Sequence, residues 1–268
     1  MPVKFKLTVT FFLLVANMVT VFAQGISMSP TRLFFTGNPG EVVSQNVIMY
    51  NSSDSDYIFN INLKDWHREE DGTKIYFETD ALENSNSLWI STLETNINLP
   101  AKSTVEVQVN MTIPEDASPS DLTNSMLFFT QIGKQKDIVE NDMGIGIIPI
   151  FEFGLHIYYT PPSNNIISLE IMAIDEVVNA EAKAEEVLIR VYNDGNKVND
   201  ASVELELTNV LTGEEVKLSP INISMMPDTY QTIIHKLPDN IEGEYMGVVI
   251  IKMAGTNDLR IGEKTFEF

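Results

Sequence analysis

The segment TVEVQVNMTI, residues 104–113, decides the fold class of this chain. Apolar residues at 105, 107, 109 and 111 alternate with polar residues at 106, 108 and 110. Because successive side chains of a β-strand point to opposite faces, this alternation predicts a strand with one buried and one solvent-facing side. The segment therefore indicates a sheet that packs one face on a core.

Short apolar runs of the same kind recur from Ile26 to Phe268. Clusters of Asn, Asp, Gly, Pro and Ser separate them at intervals of about 8–12 residues, which is typical of β-sandwiches. The first predicted strand covers residues 26–36, and a long one covers residues 144–159. Helical periodicity has little support, so the predicted fold class is all-β.

The segment TPPSNN, residues 160–165, is the predicted domain boundary. Consecutive prolines end a strand ladder and stiffen a short connection. We therefore expect two immunoglobulin-like β-sandwiches in tandem, one over residues 24–160 and one over residues 161–268.

The amino terminus predicts a cleaved signal peptide over residues 1–23. Lys4 and Lys6 precede an apolar stretch that ends in the small residue Ala23, as signal peptidase requires. A membrane anchor is the alternative, but Asn17 interrupts the apolar run, which is shorter than the about 20 residues of a membrane span. The mature protein is therefore expected to be exported and not inserted in a membrane.

The chain contains no cysteine. Export without disulfides favours a bacterial periplasm or secretion from a bacterium over an animal extracellular space. The excess of 38 acidic over 17 basic residues gives a formal net charge of -21. Such a field repels phosphate groups, so nucleic acid is not an expected partner.

No pattern of catalytic or metal-binding residues stands out. The chain has three histidines, His67, His156 and His235, which are far apart and form no paired ligand motif. The acidic cluster at Asp54 and Asp56 offers oxygen ligands for calcium, but the same residues suit hairpin turns, and we favour turns. The expected protein is not an enzyme and has no catalytic residue, metal or cofactor.

The long predicted strand, residues 144–159, is the segment most suggestive of binding. Its apolar residues of one parity are Ile145, Ile147, Phe151, Phe153, Leu155 and Ile157. One interpretation is an ordinary core strand. The other is an apolar edge strand that overhangs its sheet and pairs with another chain.

Several ordered patterns in the first half resemble the PapD-like periplasmic chaperones of bacterial pilus assembly. They are SPTRLFF (29–35), VIMYN (47–51), LKDW (63–66), LPAKS (99–103), SMLFF (125–129) and LHIYYTP (155–161). The resemblance implies two sandwiches set at an angle, with a cleft in which Arg32 and the residue at 156 hold a client's terminal carboxylate. It further implies that Ile145, Ile147 and Phe151 enter the groove of an exported, pilin-like client, while Phe153, Leu155 and Ile157 pack in the chaperone itself.

The chain departs from the family pattern at two positions of this long strand. The family has lysine where this chain has His156, and Pro149 removes one ladder hydrogen bond. Arg32 also has a plainer role open to it, as the partner of a nearby carboxylate. The alternative function is a non-catalytic structural or adhesive surface module of two sandwich domains, whose partner is a cell-surface assembly component.

Overall fold

A computed structural model describes residues 25–132, 150–179, 184–239 and 241–268. Apart from one short 3-10 helix, Ser87–Trp89, the regular elements of these residues are β-strands, which confirms the all-β prediction. The predicted signal peptide, Ile145, Ile147 and Pro149 lie outside the described residues. None of the described helices is long and apolar enough to cross a membrane.

The first half of the chain forms a sandwich of two sheets. Its strands are β1 (Ile26–Ser29), β2 (Arg32–Phe35), β3 (Val42–Asn51), β4 (Tyr57–Arg68), β5 (Lys74–Phe77), β6 (Ile90–Thr92), β7 (Asn96–Leu99), β8 (Thr104–Thr112), β9 (Thr123–Ile132) and β10 (Glu152–Tyr159). One sheet has the order β1-β3-β8-β6, and the other has the order β2-β10-β9-β4-β5, with β7 also pairing β4. The two inner faces enclose a core that includes Phe35, Val109, Phe129 and Leu155.

The predicted first strand, residues 26–36, is two strands on different sheets. β1 pairs with β3, whereas β2 pairs in parallel with β10. Between them the chain crosses the sandwich at the Ser29–Pro30 peptide, which is cis. Proline has no N–H to donate to a ladder, so the pairing ends there. The side chains that face the core change parity across Pro30, from Ile26 and Met28 in β1 to Leu33 and Phe35 in β2.

The second half forms another sandwich. Its strands are β11 (Glu170–Asn179), β12 (Ala184–Tyr192), β13 (Asn199–Asn209), β14 (Glu215–Lys217), β15 (Ile221–Met225), β16 (Tyr230–Lys236), β17 (Glu244–Met253) and β18 (Leu259–Glu267). The sheets have the orders β11-β12-β16 and β14-β13-β17-β18, with β15 also pairing β13. A separate core fills this sandwich, and it includes Val187, Ile189 and Val191 of β12 and Phe266 of β18.

Several contacts join the sandwiches, and two groups of them lie at Trp66 and at the β4–β5 hairpin. A small apolar cluster around Trp66 and Tyr158 packs against Val198 and Met226 of the second half. The β4–β5 hairpin also reaches across, because the backbone N–H of Thr232 donates to the carbonyl of Glu70 at 2.6 Å. Trp66 is buried, and it belongs to this cluster rather than to the core of the first sandwich.

Candidate functional site

Strand β10 is paired along both edges in only half of its length. On one side it pairs with β9 from Glu152 to Tyr159. On the other side β2 pairs only from His156 onward. Among the described residues, no strand pairs the β2 side of β10 between Glu152 and Leu155. This open edge of residues 152–155 results from the crossover at Pro30, which carries the preceding strand to the other sheet.

The direction of the unpaired backbone groups follows from the alternation of a strand. The N–H of His156 faces β2, since it donates to the carbonyl of Thr31 at 3.1 Å. Residues two and four positions earlier, Gly154 and Glu152, present their N–H and carbonyl groups to the same side. These groups lie ready to pair with a further strand.

The side chains of β10 that face the core continue past the paired half. Leu155 and Ile157 are fully buried, and Phe153 packs edge-on against Phe59 with ring centroids 5.8 Å apart. Phe151 is partly buried at the rim of the same core, with its ring 5.8 Å from that of Tyr57. The preceding residue, Ile150, is 69% exposed.

The carboxyl-terminal half of β10 borders a cleft of about 630 Å³ between the two sandwiches. Arg32, Arg68 and His156 line it from the first sandwich, and Asp200, Ser224 and Lys252 are among the residues that line it from the second. The parallel pairing of β2 with β10 places Arg32 directly beside His156. The structure thus brings together two of the predicted client-binding residues.

Arg32 forms an ion pair across the cleft. Its Nη1 donates to Asp200 Oδ1 at 2.7 Å and to Ser224 Oγ at 3.4 Å. The hydrogen bond to Asp200 raises the pKa of Arg32 above its ordinary value. Burial alone would raise the pKa of Asp200, but the hydrogen bonds from Arg32 and Ser224 outweigh it, and that pKa is lowered. Both groups are therefore charged at neutral pH, in agreement with the plainer role considered for Arg32.

His156 is a neutral group in this cleft. Its ring packs against Trp66, with centroids 4.6 Å apart, and its Nε2 lies 3.0 Å from Lys74 Nζ. Burial, followed by the charges of Lys74, Arg68 and Arg32, lowers its pKa from 6.5 to about 4. At pH 7 the imidazole is uncharged, so it supplies no cation at the position where the resemblance implies lysine.

Two cations of the β4–β5 hairpin border His156. Arg68 and Lys74 are direct register partners and form the last pair before the turn of the hairpin. The Arg68 guanidinium carbon and the Lys74 Nζ lie 6.0 and 5.8 Å from the centre of the Trp66 ring. Arg68 also donates to the carbonyl of Gly72 at 3.0 Å. Arg68 therefore adds positive charge to one wall of the cleft, and Lys74 reaches His156 beside it.

The sequence patterns did not reveal Arg68 and Asp200 as residues of the cleft, nor Lys74 as the neighbour of His156. Asp200 lies far from Arg32 along the chain, and only the packing of the second sandwich brings them together. Arg68 and Lys74 carried a local signal, since two basic residues flank the acidic turn at 69–71 in a chain that is poor in cations. Of the remaining predicted client contacts, Phe151 is at the core rim, and Ile145 and Ile147 are outside the described residues.

The described residues hold no group of three or more His, Asp or Glu side chains that could bind a metal ion. The acidic residue Asp54 instead lies beside Lys102, with Oδ1 3.1 Å from Nζ. Nearby, Asp56 accepts a hydrogen bond from the backbone of Ala101. These contacts are those of a loop stabilised by its own acidic side chains.

Comparison with known proteins gives matches among solved structures, and the three described here are structures of fimbrial chaperones. The class 5 fimbriae chaperone CfaA matches with a TM-score of 0.48 and 15% identity, covering 90% of this chain and 99% of that chain. A chain of the CsuC–CsuE chaperone–tip subunit complex of Acinetobacter baumannii pili matches with a TM-score of 0.47 and 10% identity, covering 89% of this chain and 97% of that one. The E. coli chaperone DraB matches with a TM-score of 0.45 and 12% identity, covering 90% and 98%. No family model and no curated protein matches the sequence.

Proposed function

We propose that this protein is a periplasmic chaperone that binds an exported, pilin-like client by strand addition at the last strand of its first domain. The proposal includes a signal peptide over residues 1–23, domains over residues 24–160 and 161–268, and no enzymatic activity. The observation that carries it is the open edge of β10 at residues 152–155, which lies next to the cleft that contains Arg32.

The open edge supplies the backbone half of the interaction. The N–H and carbonyl groups of Glu152 and Gly154 would pair with the client's main chain, each hydrogen bond contributing about 0.5–1.5 kcal/mol. Apolar side chains of the preceding segment supply the rest. By the resemblance these are Ile145, Ile147 and Phe151, and burying such a side chain contributes about 1.5–3 kcal/mol.

The cleft supplies the end point of the client strand. Arg32 and His156 are its proposed contacts for the client's terminal carboxylate. An arginine fork binds a carboxylate with two parallel hydrogen bonds and keeps its charge at any physiological pH. In this structure the Arg32 guanidinium is already paired with Asp200. A client carboxylate would therefore replace Asp200 as the partner of Arg32 or bind beside it.

The Arg32–Asp200 pair also favours the second candidate function. A structural or adhesive surface module needs no client, and an arginine that joins its two sandwiches is a residue that such a module would use. The two functions differ in what they require of β10. A chaperone needs the open edge to be accessible, whereas a module has no use for it.

The test is capture from the periplasm of the natural host with the tagged mature protein. Ile147→Asp places a charge in the proposed client strand, and Arg32→Ala removes the carboxylate fork. Ile261→Asp is the matched control, because Ile261 is 59% exposed on a strand of the second sandwich. We expect one small exported subunit to co-purify with the unmodified protein and with Ile261→Asp, and to be lost from the other two variants.

Two results would reject the chaperone. One is that mass spectrometry finds no retained subunit. The other is that retention is equal in all four proteins, which would favour the structural module.

A further inference from the structure

A second strand of the first sandwich, β8, also has an edge that is open over half of its length. On one side β8 pairs with β3 from Thr104 to Thr112. On the other side β6 pairs with residues 109–111, and no strand that the structure describes pairs with residues 104–108. After Thr92 the chain leaves β6 and crosses to the other sheet, where β7 pairs with β4.

The direction of the backbone groups in this half of β8 follows from its ladder with β3. The N–H of Asn51 in β3 donates to the carbonyl of Ser103 at 2.9 Å, so the backbone groups of Ser103 face β3. Thr104 and Glu106 lie an odd number of positions further along the strand, so their N–H and carbonyl groups face away from β3. These groups are available to a further strand.

A groove of about 520 Å³ lies beside this open edge, between β8 and β7. The two strands belong to different sheets of the sandwich. Ile97 and Val107 are buried where they line the groove, and Val105 is partly buried. Leu93, which also lines it, is 89% exposed. The groove therefore offers apolar side chains next to unpaired backbone groups, which are the two contacts that an added strand makes.

The rim of the groove is acidic. Glu94 and Glu106 line it, and no Lys, Arg or His is among its described lining residues. Glu106 accepts a hydrogen bond from Asn46. Neither carboxylate has a cation within ion-pair distance in the ranges that the structure describes. The rim is thus complementary to a basic partner.

A second copy of this chain does not suit the groove. Two copies joined at β8 would bring their acidic rims together, and like charges on facing strands are destabilising. The formal net charge of -21 adds to this repulsion. The occupant should therefore be a different protein.

We propose that the groove between β7 and β8 binds an extended segment of another protein, in which apolar and basic residues alternate, as an added strand along residues 104–108. Because side chains of a strand alternate between its faces, the apolar ones would lie against Ile97 and Val105 and the basic ones near Glu94 and Glu106. β8 and β10 belong to different sheets, so this site uses none of the backbone groups of the open edge of β10. The inference goes beyond the proposed function and does not depend on it.

The test uses the synthetic peptide acetyl-KVKVKVKY-amide and the full mature protein. The control peptide, acetyl-KKKKVVVY-amide, has the same composition and charge but no alternation. Isothermal titration calorimetry is performed at about 0.15 M salt, where exposed charges are screened beyond about 8 Å. We expect the alternating peptide to bind about tenfold more tightly, since burying one further valine contributes a factor of this size.

The variants separate the charge of the rim from the backbone of the edge. Glu94→Gln and Glu106→Gln should each weaken the alternating peptide by about threefold to fivefold, as removal of an exposed ion pair does. Glu106→Pro also removes an N–H that the ladder with β3 does not use, and it should abolish the preference for the alternating peptide. Glu263→Gln is the matched control, because Glu263 is exposed on β18 and forms no ion pair with any described residue. Ile147→Asp, in the proposed client strand, should leave binding unchanged.

Several results would reject the inference. Equal binding of the two peptides would mean attraction by charge alone, as would equal weakening by Glu106→Gln and Glu263→Gln. Circular dichroism checks that Glu106→Pro is folded, and the two Gln variants decide the test if it is not. If Ile147→Asp weakens the alternating peptide and the rim variants do not, the peptide binds at β10, so the groove is rejected and the proposed function stands. If sedimentation velocity shows a dimer that Glu106→Pro dissociates, the occupant is a second copy and the inference is again rejected.

Discussion

The two halves of β10 have the same side-chain pattern and opposite backbone environments. From His156 to Tyr159 the strand lies between β9 and β2, and its backbone groups are paired on both sides. From Glu152 to Leu155, β9 is its one partner among the strands that the structure describes. The difference arises outside β10, at the crossover beside Pro30, which determines how far β2 extends along its neighbour.

This comparison shows that burial of side chains and pairing of the backbone are separate properties of a strand. Phe153 and Leu155 of the open half pack on the same core as Ile157 of the closed half. What the open half lacks is a ladder partner on one edge. A second chain could therefore pair there without displacing any part of the core of its host.

The largest expected effect comes from truncating the core face of the closed half. Ile157 is fully buried, so Ile157→Ala removes apolar contacts and leaves a cavity. We expect it to lower the free energy of unfolding by about 2–5 kcal/mol. Ile150, 69% exposed next to the open half, is the comparison, and Ile150→Ala should change stability by at most about 0.5 kcal/mol. Urea unfolding measures both, and equal losses would contradict the description of β10.

A moderate effect is expected on the outer face of the open half. A Cβ at Gly154 would overlap the terminal methyl of Met126 and approach Phe128. Gly154→Ala therefore requires Met126 to move, at a cost of about 1 kcal/mol. Glu152→Ala, at an exposed position of the same face, should be within about 0.5 kcal/mol of the unmodified protein. If Gly154→Ala leaves the free energy of unfolding in urea unchanged, this face of β10 is not packed as described.

A smaller effect is expected from the ion pair at the first residue of β2. The side chains of Arg32 and Asp200 are 36% and 38% exposed, so solvent screens their attraction. A double-mutant cycle with Arg32→Ala and Asp200→Ala should give a coupling free energy below about 1 kcal/mol. A coupling of several kcal/mol would show that this pair, rather than the ladder and core, holds the closed half in place.

At neutral pH the smallest effect on the fold is expected from the titration of His156, the first residue of the closed half, because its ring is already uncharged there. Its pKa is lowered to about 4, chiefly by burial, so nuclear magnetic resonance should show a midpoint well below the ordinary 6.5. As the pH falls, the unfolded chain binds a proton at His156 before the folded protein does. The contribution of the neutral ring to the free energy of unfolding is therefore complete above pH 6.5 and is lost as the pH falls toward 4. In Lys74→Met the midpoint should rise, because a nearby positive charge is removed. An unchanged midpoint would mean that Lys74 is not beside the ring.

The sequence predicted the features of this strand that depend on local pattern. Alternation along residues 151–157 correctly placed Phe153, Leu155 and Ile157 on the core, and the resemblance placed Arg32 and His156 together. The length of the open edge was not predictable, because it depends on the position along β10 at which β2 begins to pair, and the crossover at Pro30 determines that position. Two short strands, β7 and β15, were also missed, since each has few residues to show a period.

The composition of the cleft was predictable only in part. Arg32 and His156 belong to patterns that the resemblance covers. Asp200 lines the cleft from the second sandwich, and Lys74 reaches His156 through the β4–β5 hairpin, so both positions depend on long-range packing. The charge state of His156 also depends on that packing, because burial and three surrounding cations determine it.

The most direct test of the open edge is amide hydrogen exchange along β10, measured by nuclear magnetic resonance with and without a synthetic strand peptide, acetyl-KTVTVTVTY. In the free protein the amides of Glu152 and Gly154 should exchange rapidly, while that of His156, bonded to Thr31, should be protected. Adding the peptide should protect Glu152 and Gly154 and leave His156 unchanged. Protection of Glu152 and Gly154 equal to that of His156 in the free protein would show that the edge is already covered and would contradict strand addition at β10.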